Sequence, residues 1–412
     1  MSIPNRVVST FTNLFRPRKL EDGTWFYAME AGTWKEVKNM LAFSEIPEVN
    51  AVINYSARTF SSGVLKIQND KGEDQPNHPL AAILNKPNFM QEQKEFLRQT
   101  KLYHDIFGNE YLSMLVPVGM PDRVKAMFTL PPSIVTPTYE SSTPYYLQDE
   151  ASGSKSIKYE IETGNNKRSP LDPNTIVHLN DNKVKVESNT DKNILKGVSK
   201  LQGLTPAINN IRMAYESRGV ILKNRGALGI LSNATADAAG AGVFDPKEKS
   251  YIQEAYKQYG GLSNQMQLII TSANLKWQQM SVNPDKLGLF QEIEDDWYKV
   301  LDAYGALPEL FARGKGSTYE NQKQARKGYY IDTTIPAGNE WAGALSRKWF
   351  PDGRFRVVID YMHLAIFQED LKSKAEALTS MANLLSKLFT DGVISIEEYT
   401  EEMRKLLKLG KR

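Results

Sequence analysis

The 412-residue chain contains no cysteine. That rules out disulfides, thiolate nucleophiles and cysteine zinc sites, and it suits an assembly made inside a cell. Histidine is nearly as scarce. His78, His104, His178 and His363 lie far apart, and none has the paired spacing of an H-E-x-x-H metal helix. Each is read as a surface or satisfied core residue. No G-x-S-x-G nucleophile elbow occurs. No run of about 18 uncharged apolar residues exists, so no transmembrane helix is expected. Near the start, Arg6, Asn13, Arg16, Arg18 and Lys19 interrupt any apolar core of a signal peptide. A dominant charge sign is missing too: 51 basic residues face 48 acidic ones, for a net of +3. Proteins that wrap DNA tightly carry a strong basic excess, because each neutralised phosphate releases counterions and adds affinity. This chain either ignores nucleic acid or touches it lightly.

The hydrophobic fraction of 41% is enough for real cores, and the length corresponds to two or three domains. Apolar periodicity predicts helices over Pro47–Ser62 and Gln91–Phe107, the second ended by Gly108-Asn109 as a left-handed cap. Val64–Ile67, Tyr111–Val116, Val124–Leu130, Ile134–Thr138, Tyr145–Leu147, Ile157–Ile161 and Ile176–Leu179 read as strands. Lys71–Pro79 reads as a polar loop, and the basic run Arg16-Pro17-Arg18-Lys19 as a solvated segment. The first half is therefore α+β, with one small mixed or barrel-like sheet. From Leu204 the pattern changes. A long helix carries Leu204, Ile208, Ile211, Tyr215 and Leu222 on one face. A β-α-β pattern follows, with strands Leu228–Leu231 and Met266–Thr271 around a helix Lys247–Tyr259 that starts behind Asp245-Pro246. A second long helix spans Pro284–Tyr304, its apolar face lined by Phe290, Ile293, Trp297, Val300 and Tyr304. Thr318–Phe350 reads as helical with Pro336 interrupting it, Phe355–Tyr361 as a strand, and Asp370–Arg412 as a helical tail broken at Asp391-Gly392.

Two segments invite a chemical reading. Gly314-Lys315-Gly316-Ser317-Thr318 suggests a phosphate-binding loop, but Glu309 stands where G-x-x-x-x-G-K-[ST] needs its first glycine. Gly316 also follows the lysine where a hydroxyl is required, and no strand precedes the loop. Glu292, Asp295 and Asp296 share a helical face and, with Glu294, suggest magnesium; such a set is more often a solvated face. A metal-dependent DNA-processing enzyme is thus the alternative function, with neither an activated nucleophile nor a complete metal set behind it. No catalytic residue, metal ligand or cofactor is assigned. Within the Gly305–Ser317 segment, the glycines give backbone freedom, Leu307, Leu310 and Phe311 supply an apolar tip or anchor, and Arg313 and Lys315 supply the positive charge.

Several short signatures, in order, resemble the portal protein family of tailed double-stranded-DNA bacteriophages, in the branch with long non-contractile tails. They are Leu84-Asn85-Lys86-Pro87-Asn88, Gly108-Asn109-Glu110-Tyr111, Thr175-Ile176-Val177-His178, Gly197-Val198-Ser199-Lys200-Leu201, Asn224-Arg225-Gly226-Ala227-Leu228-Gly229-Ile230-Leu231, Ala303-Tyr304-Gly305-Ala306-Leu307-Pro308 and Ser317-Thr318-Tyr319-Glu320-Asn321. They run from about Pro47 to Tyr361, and the ordered set is specific where no single motif is. Lys200 departs from the family's usual proline, and Ala306-Leu307-Pro308 is one residue longer than its common Gly-Val-Pro.

The resemblance implies a portal-like α+β architecture and a non-enzymatic role. Residues 1–203 would form a wing to which 318–361 return. Residues 204–225 and 284–304 would be two stem helices, 226–283 a β-α-β clip, 305–317 a tunnel loop and 362–412 a helical crown facing the capsid interior. It also implies a homo-oligomeric ring, a dodecamer at one capsid vertex of the virion, assembled in the host cytoplasm. The ring would serve as the channel for genome packaging and ejection. Its partners would be weakly and non-specifically held double-stranded DNA, the terminase large subunit, the head–tail adaptor, and the major capsid and scaffolding proteins, with no membrane. On this reading Arg313, Lys315, Ser317, Leu310 and Phe311 are candidates to face the DNA channel.

Overall fold

The computed structural model describes residues 15–19, 25–29, 34–117, 123–139, 157–162, 168–181, 195–223, 229–233, 246, 247, 249–251, 254, 275–279, 289–311 and 318–410. Two compact units emerge: one comprises Met1–Met40, Ala51–Lys200 and Tyr304–Arg412, the other Leu41–Asn50 and Leu201–Ala303.

The first unit opens with an antiparallel pair of β1 (Phe15–Lys19) and β2 (Trp25–Met29), so the basic run Arg16–Lys19 lies in a paired strand. Helices α1 (Trp34–Glu45) and α2 (Pro47–Phe60) lead into β3 (Val64–Asn69). A short helix, α3 (Pro79–Asn85), has too few turns to show a period in sequence. His78 caps it by accepting from the Leu80 N–H, and Pro79 takes the first turn, where a missing N–H costs nothing. Then come α4 (Gln93–Phe107) and the strands β4 (Asn109–Leu115), β5 (Ala126–Leu130), β6 (Val135–Tyr139), β7 (Ile157–Glu162), β8 (Arg168–Leu171) and β9 (Ile176–Asn180). The described strands do not make the single mixed or barrel-like sheet that the sequence suggested. They form separate antiparallel sheets, β5-β4-β9 and β6-β7-β8, while β3 pairs with the distant β12 (Phe355–Asp360). Pro131-Pro132 lies between β5 and β6, where two successive residues without N–H donors cannot continue a ladder.

Strand β4 shows why two sheets suffice. Its alternating side chains serve two cores: Leu112 and Met114 enter the larger one, with Phe96, Leu97, Trp341 and Leu345, while Tyr111 enters a second one with Val135, Tyr159 and Ile176. Each such fully buried large side chain contributes about 1.5–3 kcal/mol.

The second unit holds a one-turn helix α5 (Lys200–Gly203), the long α6 (Thr205–Lys223), the antiparallel pair β10 (Gly229–Asn233) and β11 (Leu275–Gln279), and α7 (Leu289–Ala303). Helices α6 and α7 pack against each other, burying Ile208, Ile211 and Ala214 of one and Ile293, Trp297 and Val300 of the other. Residues 41–50 join this unit through Arg212–Glu45 at 3.0 Å and a Tyr215 hydroxyl donating to Glu48 at 2.7 Å. The expected strands Tyr145–Leu147 and Met266–Thr271 lie outside the described residues, as does most of the expected helix Lys247–Tyr259.

In the first unit again, α8 (Tyr319–Tyr329) runs through a π-helical turn, Tyr330–Thr334, into α9 (Ile335–Trp349). The interruption expected at Pro336 takes the form of a widened turn just before that proline. Its ring would collide with the carbonyl four residues back in a regular helix, and the wider turn just before it relieves that collision without ending the rod. The chain finishes with α10 (Ala365–Thr390) and α11 (Ile396–Gly410), packed as a hairpin across the turn at Gly392, φ 71°. Ser395 and Glu398 form a reciprocal capping box at the start of α11, with bonds of 2.9 and 3.2 Å.

Gly108 ends α4 with φ 68°, and a Cβ there would lie 2.5 Å from the Ser199 nitrogen and 2.6 Å from the Val198 carbonyl carbon. Left-handed strain and a clash with unyielding backbone act together, so Gly108→Ala should lower stability by roughly 3 kcal/mol. Thermal or urea unfolding of the full chain measures this, and an unchanged midpoint would contradict it.

Candidate functional site

Four of the sequence signatures, spread over some two hundred positions, meet at the C-terminal end of α4. The Asn109 carboxamide donates to the carbonyls of Phe107 and Gly197, at 3.1 and 3.0 Å, and accepts from the Gly197 N–H at 2.8 Å. The His178 ring nitrogen Nε2 lies 3.2 Å from the Asn109 oxygen, and its ring stacks on Tyr111 with centroids 4.3 Å apart. Ser199 donates to the Ile106 carbonyl at 2.7 Å, and the Tyr304 hydroxyl to that of Asp105 at 2.9 Å. Lys200 sits with its ammonium 5.4 Å from the centre of the Tyr304 ring and 3.7 Å from Asp181. The residue that departs from the family's proline thus makes a cation–π contact and an ion pair that proline lacks.

Beside this junction lies a buried polar set. Lys101 and Asp105 pair at 2.7 Å, and Ser56 donates to the other Asp105 oxygen at 2.7 Å. Breaking such a buried pair by removing one partner costs about 3–5 kcal/mol. Glu110 accepts from the Trp341 indole at 2.7 Å, with His104 Nδ1 3.8 Å from its second oxygen. Burial pushes the Glu110 carboxyl up to about 8, against the opposing pull of the Trp341 hydrogen bond. Burial, helped by the Lys101 charge, pushes His104 down to about 4. At neutral pH both are uncharged, and Glu110 is almost wholly enclosed. The set ties α2, α4, β4 and α9 together.

Of the five channel candidates, Leu310 and Phe311 are described; Arg313, Lys315 and Ser317 lie outside the described residues. Leu310 is half-buried at the end of the short 3-10 turn Pro308–Leu310. Phe311 packs its ring 5.4 Å from that of Tyr55 on α2, and Tyr55 packs edge-on to Tyr329 at 5.2 Å. Phe311 is therefore an anchor for the segment rather than a free tip, while Leu307 is about half exposed. Asp296 is buried and bonded to Lys299 at 2.6 Å, and no group of carboxylates and histidines among the described residues could hold a metal ion. Glu292, Asp295, Asp296 and Lys299 line one side of a 440 Å³ cleft whose other wall is α6. Among the described residues no helix is long and apolar enough to cross a membrane.

The family described as phage portal protein matches this chain over residues 47–401. The chain belongs to the phage portal protein family. An uncharacterised protein of Rickettsia bellii is 24% identical over 312 residues, 75% of each chain. Among solved structures, a chain in the neck of an empty gene transfer agent particle, computed with C6 symmetry, superposes with a TM-score of 0.63. It is 18% identical, over 92% of this chain and 95% of that one. A neck of the native particle computed with C12 symmetry gives 0.59 at 17% identity, over 97% and 98% of the two chains. An HK97-family phage portal protein from Corynebacterium diphtheriae gives 0.50 at 12%, over 80% and 95%. These likenesses show the same mixed helix-and-sheet fold.

In this portal-family chain, the signatures around Gly108, His178, Gly197 and Tyr304 hold the first unit together. The sequence reading found the residues but had no means of seeing that they touch. It missed Glu110 with His104 and Trp341, whose only trace in sequence is a glutamate within an otherwise buried strand.

The two neutral groups carry opposite pH linkages. His104, held below its usual value, contributes stability that is full above about pH 6.5 and lost as pH falls towards 4. Glu110, held above its usual value, contributes stability that is full below about 4.5 and lost as pH rises through 8. The slopes cancel between about 4.5 and 6.5, leaving a decline from 6.5 to 8. Glu110→Gln keeps the acceptor for Trp341 and should flatten that decline in thermal midpoint; a decline as steep as the parent's would exclude Glu110 as its source.

Proposed function

We propose that twelve copies of this chain form a closed ring at one vertex of a phage-type capsid, through which double-stranded DNA is packaged and ejected. The observation that carries this reading is the portal family match over residues 47–401. The similarity to chains from a particle neck of C12 symmetry supports the copy number. The chain acts as structure and not as an enzyme. The failed phosphate-loop pattern around Lys315 and the lysine-bound Asp296 both support that.

Residues 1–203 with 318–361 serve as the wing, 204–225 and 284–304 as stem helices, 226–283 as the clip, 305–317 as the tunnel loop and 362–412 as the crown. The pairing of α6 with α7 in one compact unit supports the stem, and the hairpin of α10 and α11 supports the crown. The clip docks first the terminase large subunit and later the head–tail adaptor. Wing and crown meet the major capsid and scaffolding proteins as the particle assembles in the host cytoplasm. The duplex passes the tunnel loop weakly and without sequence preference, which suits a net charge of only +3.

Mass photometry of the purified chain should show a discrete ring near twelve subunits. A monomer at all salt and protein concentrations, with intact secondary structure, would overturn the reading. In the tunnel, Arg313 and Lys315 brush phosphates while the glycines let each loop yield. The double variant Arg313→Ala, Lys315→Ala should assemble normally yet alter packaging rate or genome retention; normal packaging and retention would return both side chains to plain solvated surface.

A further inference from the structure

Three exposed arginines lie near the root of the tunnel loop. Phe311 rests on Tyr55, and the Arg58 guanidinium lies over the same tyrosine ring, 5.3 Å from its centre. Arg326 of α8 acts on Tyr55 from its hydroxyl end. One helical turn before Arg58, Asn54 accepts a 3.1 Å bond from the guanidinium of Arg98. Arg98, Arg58 and Arg326 are all exposed, and none is paired with a carboxylate among the described residues.

Compensation of a helix dipole does not account for all three. Arg58 lies in the last turn of α2, where a cation suits the helix dipole. Arg326 has no such reason, because α8 continues through the π-helical turn into α9 and exposes no C-terminal carbonyls there. Three like charges gathered without counter-ions raise the local potential and favour a polyanion. Guanidinium is suited to phosphate, since its planar fork donates two parallel hydrogen bonds to paired oxygens. The loop that starts at this root adds Arg313 and Lys315 and, between Gly305 and Ser317, only Glu309 of opposite sign.

We propose that Arg98, Arg58 and Arg326 form a guanidinium track beside the Tyr55–Phe311 anchor that takes the phosphodiester backbone of the passing duplex. The inference rests on the portal reading and deepens it. The loop does not carry the DNA contact alone; fixed arginines on the wing helices share it.

The test uses the full chain, with Arg98→Gln, Arg58→Gln and Arg326→Gln combined, and a lysine triple as the charge-retaining control. The probe is a short fluorescent DNA duplex, titrated by anisotropy across a salt series, with ring assembly and thermal midpoint measured in parallel. The glutamine triple should form normal rings and lose on the order of tenfold in affinity at low salt. Its slope of log affinity against log salt should shrink by about 1 for each phosphate no longer neutralised. The lysine triple should keep most of that slope. Intact rings of the glutamine triple with parental affinity and slope would overturn the track and leave the portal reading standing. So would wild-type rings that bind no duplex at any salt. Loss of rings in the glutamine triple would also overturn it, and would assign the arginines to carboxylates of a second copy. A wild-type chain that forms no ring would instead count against the portal reading itself.

Discussion

The first unit depends on one backbone crossing. Helix α4 must stop, turn sharply and enter β4 while another part of the chain passes within van der Waals contact. Gly108 makes this possible in two ways: it takes the left-handed conformation, and it leaves room for the backbone of Val198 and Ser199. Gly197 repeats the arrangement from the other side, since a Cβ there would run into the carbonyls of Gly108 and Asp181. With no side chain at either crossing point, the two segments hydrogen-bond directly, Asp181 N–H to Gly108 and Val198 N–H to Asp181, at 2.9 and 3.0 Å. Asn109 then closes the junction with both ends of its carboxamide.

From that crossing the rest follows in order. β4 leaves it with Glu110 on the face of the larger core and Tyr111 on the other, so one strand sets the register of two cores. Asp105, one turn upstream, receives Tyr304 through its carbonyl and Lys101 and Ser56 through its carboxylate. Tyr304 is therefore tied to the core of the first unit just before the loop begins. The π-helical turn has a related effect. By accommodating Pro336 without a break, it makes α8 and α9 one rod, with Tyr329 against Tyr55 on one side of the turn and Trp341 against Glu110 on the other. The loop root and the buried carboxyl thus share a rigid connection.

Much of this was legible in the sequence because it depends on local rules. The cap at Gly108, the long amphipathic helices and the turn at Gly392 follow from periodicity and from the residues that tolerate positive φ. What escaped depends on distant partners. β8, Arg168-Ser169-Pro170-Leu171, has too little apolar alternation to declare itself, and only its pairing with β7 makes it a strand. Separate antiparallel sheets and one mixed sheet have the same strand signals; which edges pair is a tertiary fact. Pro336 reads as a break because regular helical geometry forbids it, whereas a widened turn does not. The candidate site divides in the same way. Arg313 and Lys315 stand out because they sit in a glycine-rich segment, while Arg98, Arg58 and Arg326 look like ordinary surface arginines until folding brings Arg58 and Arg326 to Tyr55 and Arg98 to the neighbouring Asn54.

A chain with almost no net charge is a reasonable carrier for such a gathering. A uniformly basic channel would bind the duplex at every level, and each further phosphate neutralised would deepen the hold and oppose sliding. A track restricted to Arg98, Arg58 and Arg326 would limit the hold to a single band. In the proposed ring, symmetry would repeat that band around the axis, so that each position of the duplex would meet an equivalent guanidinium from some subunit. The energy would then vary little as the helix advances, because a phosphate leaving the arginines of one subunit would come within reach of those on the next. Arg58, Arg98 and Arg326 stand on the helices α2, α4 and α8, and Arg58 and Arg98 are further held by Tyr55 and Asn54, so such a band would keep a fixed geometry as the duplex advanced.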